Sequence, residues 1–110
     1  MVVFEDCIFK DAELLISTSV TDLMKINKQF NSEIKACIGR FFIQDWGDMS
    51  PHACHANDLL LKHRLEPLMG LYSTSKGRVA IVVSNCSQGR YKLIQVALYS
   101  EVFHLYVTCK

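Results

Sequence analysis

Asp45-Trp46-Gly47-Asp48 is the most specific local feature of the chain, and Asn57-Asp58 follows it beyond a Ser50-Pro51 helix opening. Tryptophan combines a large apolar surface with one N–H donor, and it is enriched among the residues that dominate interface energies. Asp45, Trp46, Asp48, Asn57 and Asp58 therefore make a candidate acidic, aromatic patch for contact with a basic partner surface. The same residues have a structural reading, in which Trp46 plugs the core edge, the aspartates fix a turn, and Asp48 or Ser50 caps the next helix. His52-Ala53-Cys54-His55, with His63 further on, is the one cluster of metal-type ligands. On a helix His52 and His55 are one turn apart, but Cys54 projects away from them and His63 lies two turns beyond. Tetrahedral zinc would lack its remaining ligands, so no metal or other cofactor is expected. Lys76, Arg78, Arg90 and Lys92 stand at or near two expected hairpin turns, with Tyr91 among them. Were both turns at one end of a sheet, these bases would form a surface for phosphates or an acidic protein. For catalysis there is neither a glycine-rich phosphate loop nor a Gly-x-Ser-x-Gly elbow. Only distant residues brought together by the fold, such as Cys86 and His104, would be left to build an active site. The expectation is a protein that binds and is not an enzyme.

The elements that must position these residues are legible from pattern. Val2–Phe9 and Glu13–Thr18 are rich in branched and aromatic residues on either side of Lys10-Asp11, which predicts two short strands. Ser19 and Asp22 have capping-box spacing ahead of Val20, Leu23, Met24 and Phe30, predicting a helix. Asn31 or Ser32 is expected to cap a second helix whose inward face is Ile34, Cys37, Ile38, Phe41 and Phe42. Gly47 and its aspartates predict a loop. Ser50 as N-cap and Pro51 at the first helical position then predict a third helix to about Arg64, with Ala56, Leu59, Leu60 and His63 on one face. After Pro67, strands are expected at Leu68–Thr74, Arg78–Ser84, Tyr91–Leu98 and Val102–Thr108, with turns at Ser75-Lys76-Gly77 and Ser87-Gln88-Gly89. Helices grouped ahead of strands predict one α+β domain spanning residues 1–110, an antiparallel β-sheet of about four to six strands with two or three helices on one face.

Composition sets the class. With 110 residues, half of them hydrophobic, the chain has material for one core. Its net charge of +1 conceals an asymmetry. Up to Asp58 there are nine acids and five bases, and from Leu59 onward two acids and seven bases. The five cysteines are scattered and odd in number, which predicts reduced thiols and a cytosolic setting. Met1-Val2-Val3-Phe4-Glu5-Asp6 carries acids where a secretory signal would be basic, and no apolar run reaches the roughly 20 residues of a membrane span. No membrane partner is expected. The final strand would offer an exposed edge, a route to a homodimer, and monomer and dimer both stay open.

The run from Cys37 through Tyr72, with its DWGD, the Ser-Pro helix opening, the Asn-Asp pair and an extended segment ending in tyrosine, carries a likeness. It resembles a family of short proteins encoded by bacterial plasmids and phages, usually described only as plasmid-related or hypothetical proteins. His52, Cys54 and His55 stand where that family tends to have acidic or small residues. The strand over Val79–Ser84 lacks the aromatic and acidic residues expected there. The resemblance implies a mobile-element accessory protein in the cytoplasm of a bacterial host. Such a protein would act by stoichiometric binding to a host protein or ribonucleoprotein complex, as anti-CRISPR and antirestriction proteins do. The alternative is a nucleic-acid-binding module using the Lys76, Arg78, Arg90 and Lys92 hairpin surface.

Overall fold

A computed structural model describes residues 9–87 and 89–101. The strand expected over Val2–Phe9 lies outside them apart from Phe9, which is buried in a turn. The strand expected over Val102–Thr108, and the dimer edge attached to it, also lie outside the described residues.

Strand β1 (Glu13–Ile16) runs directly into helix α1 (Thr18–Ile26). Ser17, not Ser19, is the cap: its backbone is extended and its Oγ accepts from the Val20 N–H. Asn27 then closes one helix and opens the next. Its N–H donates to the Leu23 carbonyl at the end of α1, and its Oδ1 accepts from the Phe30 N–H at the start of α2 (Lys28–Phe42). This one-residue joint starts α2 several residues before the expected Asn31 or Ser32, because an asparagine side chain satisfies an orphan N–H wherever the chain first turns extended. Ser50 caps α3 (Pro51–Lys62) through the Ala53 N–H, as the Ser-Pro signal predicts.

Three strands follow, β2 (Leu68–Thr74), β3 (Gly77–Ser87) and β4 (Arg90–Leu98), and a short 3-10 turn at Tyr99–Glu101. They pair as the expected antiparallel meander, with Tyr72 opposite Val79 and Ile81 opposite Val96. Across the described residues the sheet order is β1-β4-β3-β2, and β1 lies parallel to β4, which makes the sheet mixed. The purely antiparallel sheet expected from the sequence is corrected at this one pairing. Hairpins dictate the direction of β3 and β4, whereas β1 is separated from the meander by three helices, and no turn ties its direction to β4.

The sheet's strand alternation sends Leu68, Tyr72, Val79, Ile81, Val83, Ile94 and Val96 toward the helices. There they meet Val20 of α1 and Phe30, Ile34, Cys37 and Phe41 of α2, spaced at helical period. A smaller cluster of Leu71, Ala80 and Val82, flanked by Met49 and Met69, occupies the other face. On α3 the inward face is one residue off the expected one. Asn57 and Leu61 are buried and Leu59 is exposed. The architecture is α+β, with the helices layered on one sheet face. Among the described residues no helix is long and apolar enough to cross a membrane.

Candidate functional site

Residues 40–48 and 57–58 converge on one side of the molecule, the outer edge of β2. A strand at a sheet edge presents unpaired N–H and C=O groups that must be covered or blunted. Here the DWGD loop covers them. The Leu71 N–H donates to the Trp46 carbonyl (3.0 Å) and the Asp48 N–H donates to the Leu71 carbonyl (2.6 Å), a single parallel bridge centred on Gly47. One step along the strand, Asn57 Nδ2 donates to the Met69 carbonyl at 2.7 Å. One step the other way, Ser73 Oγ donates to Asp48 Oδ2 at 2.6 Å. The loop and one amide side chain thus take up outward-facing backbone groups of β2 at Met69 and Leu71, and Asp48 also holds the Ser73 hydroxyl.

Each remaining motif residue braces this clamp. Trp46 is 3% exposed. Its ring meets Phe41 edge-on at 5.2 Å, and its Nε1–H donates to Asp58 Oδ1 at 2.9 Å. Asp45 accepts from Arg40 Nε (2.8 Å) and Nη2 (3.3 Å), and from the Gly47 N–H (3.0 Å). The Tyr72 hydroxyl, fully buried, donates to the Asp45 carbonyl at 2.7 Å, while the Arg40 guanidinium lies 5.1 Å from the Tyr72 ring centre. Gly47 adopts φ +76, and a Cβ there would collide with the Leu71 carbonyl and the Tyr72 ring. A side chain at Gly70 would strike the same ring. Two glycines are thus required for the backbone to close on Tyr72.

The electrostatics follow the packing. The hydrogen bonds from the Arg40 guanidinium and then from the Gly47 N–H hold the Asp45 carboxyl below the usual carboxylate range. Burial, reinforced by the Asp45 carboxylate, pushes the Tyr72 phenol well above its ordinary value. Burial likewise raises the Cys37 thiol and pushes Tyr91 up to about 12. At neutral pH these shifts keep the two phenols and the Cys37 thiol protonated and the Asp45 carboxyl ionised.

The candidate patch is therefore divided. Trp46 and Asn57 face inward and present no contact surface, because the indole and amide are spent on the core and on β2. Asp45, Asp48 and Asp58 are exposed, although each also holds a clamp bond. The basic quartet is not one surface. Lys76 and Arg78 belong to the β2–β3 end and Arg90 and Lys92 to the β3–β4 end, at opposite ends of an 11-residue strand. That separates the pairs by roughly 30 Å. Arg90 moreover contacts Asp11 at 3.4 Å, and the Glu33 carboxylate accepts from the Ser75 N–H and hydroxyl at the other turn. His52, His55 and His63 are exposed, and among the described residues no group of three or more ligand-type side chains converges. The Cys86 thiol donates to the Arg64 carbonyl at 3.0 Å; its suggested partner His104 lies outside the described residues.

Sequence reasoning missed what lies next to the clamp. Gln44, Asp58, Leu61, Lys62 and Arg64 line a cleft of about 460 Å³ between the ends of α2 and α3. Gln44 and Arg64 both have positive φ, 66 and 55, uncommon for residues other than glycine. Ile43, Leu59 and Leu65, each next in sequence to a cleft residue, are 66%, 47% and 53% exposed. No periodicity signals this, since Leu59 has the spacing of an inward residue and Ile43 and Leu65 fall just past helix ends. Comparison with protein-family models, curated proteins and solved structures returned no match.

Proposed function

We propose that this protein works by stoichiometric binding of a partner macromolecule through the surface around the cleft between α2 and α3. The observation that carries the reading is the cleft lined by Gln44, Asp58, Leu61, Lys62 and Arg64, with exposed Ile43, Leu59 and Leu65 each next in sequence to one of its lining residues. Exposed aliphatic residues near a polar depression suit the mixed apolar and polar composition of an interface. The neighbouring clamp supplies rigidity, so little conformational entropy is lost on docking. Asp58, Lys62 and Arg64 line the cleft with charge of both signs, Asp45 being already paired with Arg40, which favours a partner that presents complementary charges of both signs. The resemblance of Cys37–Tyr72 to short plasmid and phage proteins points to a bacterial host defence complex as that partner, bound in the cytoplasm and inhibited by occupancy.

The test replaces Ile43 and Leu59 together by aspartate. Both are exposed and outside the clamp, so the thermal transition stays within a few degrees of wild type while the partner is lost. Affinity capture from bacterial lysate with mass spectrometry, comparing wild type and the double variant, reads the result. Equal recovery of the same complex by both proteins refutes the assignment of this surface.

A further inference from the structure

A second groove lies at the opposite helix junction, where α1 gives way to α2. It has a volume of about 470 Å³ and is lined by Ile16, Thr21, Met24, Lys25, Lys28 and Asn31. The groove is shallow and open to solvent, so a ligand there keeps much of its surface in water. Ile16 and Met24 are partly buried against the main core and supply its apolar surface. Thr21 and Asn31, both half-buried, contribute a hydroxyl and an amide. Lys25 and Lys28 are exposed, and among the described residues neither forms an ion pair. Among the described residues no carboxylate lines the groove. Asn27 caps both helices between the two lysines and so fixes their relation. Lys28 is the first residue of the 15-residue α2 and meets its positive end, while Lys25 lies in the last turn of α1, whose negative end offsets part of that field, so the two ammonium groups carry the charge of the groove. Like charges gathered on one groove repel one another unless an anion joins them.

Two cations and two neutral hydrogen-bonding groups around an apolar surface match an anion with several acceptor oxygens and an apolar body. We propose that the α1–α2 groove binds the phosphate monoester of a small phosphorylated ligand. The phosphate oxygens accept from the Lys25 and Lys28 ammonium groups, with Thr21 and Asn31 within the same recess, and the ligand's apolar part rests on Ile16 and Met24. The site is separate from the α2–α3 surface and stands or falls without it.

The test is a titration of the full chain followed through its backbone amide resonances. The probes are inorganic phosphate, adenosine 5′-monophosphate, adenosine, and vesicles containing phosphatidic acid. Phosphate and the monophosphate are expected to shift the amides of Thr21, Lys25 and Lys28, and adenosine to bind at least about tenfold more weakly than its monophosphate, given the strength of hydrogen bonds between charged groups. The Lys25→Gln/Lys28→Gln double variant, with both sites exposed, keeps the wild-type thermal transition and loses at least about tenfold in affinity. Vesicle binding abolished in the double variant supports the same phosphate chemistry and identifies a lipid headgroup as its source. Absence of binding by every phosphate probe, adenosine binding as well as its monophosphate, or unchanged binding by the double variant would each overturn the proposal.

Discussion

Replacing Trp46 with alanine separates a clamp residue from a contact residue. The side chain is 3% exposed, packs edge-on against Phe41 and donates to Asp58. Truncating a buried tryptophan costs about 3–5 kcal/mol, a large part of the ~5–15 kcal/mol that holds a domain folded. With a urea m-value of roughly 1.5 kcal/mol/M, the lower figure corresponds to a fall of about 2 M in the unfolding midpoint. Far-UV circular dichroism is the readout, since Trp46 is the sole tryptophan and its fluorescence disappears with it. Hydrogen exchange adds a local test. The Leu71 and Asp48 amides, which bridge β2 to the loop, are expected to lose protection first. Trp46→Phe keeps an aromatic ring beside Phe41 but removes the N–H and the rest of the indole, leaving a small cavity. Because Asp58 is exposed and regains water, that variant is expected to lose about 1–3 kcal/mol, less than Trp46→Ala. A Trp46→Ala protein with an unchanged midpoint and full amide protection would refute the clamp.

Two further tests address other parts of the fold. Stability is expected to be complete below about pH 10, where an unfolded tyrosine is still protonated, and to fall as pH rises toward 12. The sign follows because burial raises Tyr91 to about 12 and Tyr72 further, so the unfolded chain gives up these protons first. Urea midpoints at rising pH, paired with phenolate absorbance, check it; early ionisation of both phenols with the circular dichroism intact contradicts it. Glu101 accepts from Ser17 Oγ, Ser19 Oγ and the Leu98 N–H, bringing a carboxylate from the far end of the chain to an α1 start that has no acid of its own. Glu101→Ala is expected to lower stability by about 1–2 kcal/mol, read by urea unfolding, with Glu101→Gln recovering part of it; no change in midpoint sinks this role.

Punctuation and alternation made most elements readable. The Ser50-Pro51 opening, the β2 limits at Leu68 and Thr74, and the meander itself are local effects of capping, strand propensity and turn residues, and they occur where the residues predict. The errors arose where one residue had two local solutions. Ser19 and Asn31 are good caps, yet Ser17 and Asn27 come first in the chain and are used. Leu59 has the spacing of a core residue, but α3 turns Asn57 inward because its amide satisfies a carbonyl on the edge of β2. A buried asparagine is unfavourable unless paired, and its partner Met69 is 12 positions away.

The amino-acid order by itself determined the class of fold, the three helices, the hairpin turns, and the fact that the Asp45–Asp58 segment is unusual. It could not say whether that segment faces outward or inward, because a tryptophan between aspartates satisfies both an interface and a core edge. Tertiary structure decided this by placing β2 at the edge of the sheet, where unpaired backbone groups required the loop. It also separated the basic turns to opposite ends of β3 and left Ile43, Leu59 and Leu65 exposed, each next in sequence to a residue lining one cleft. Capping and alternation act over a few residues and are written in sequence. Edge protection and surface grouping depend on which distant segments become neighbours, and only the folded chain sets that.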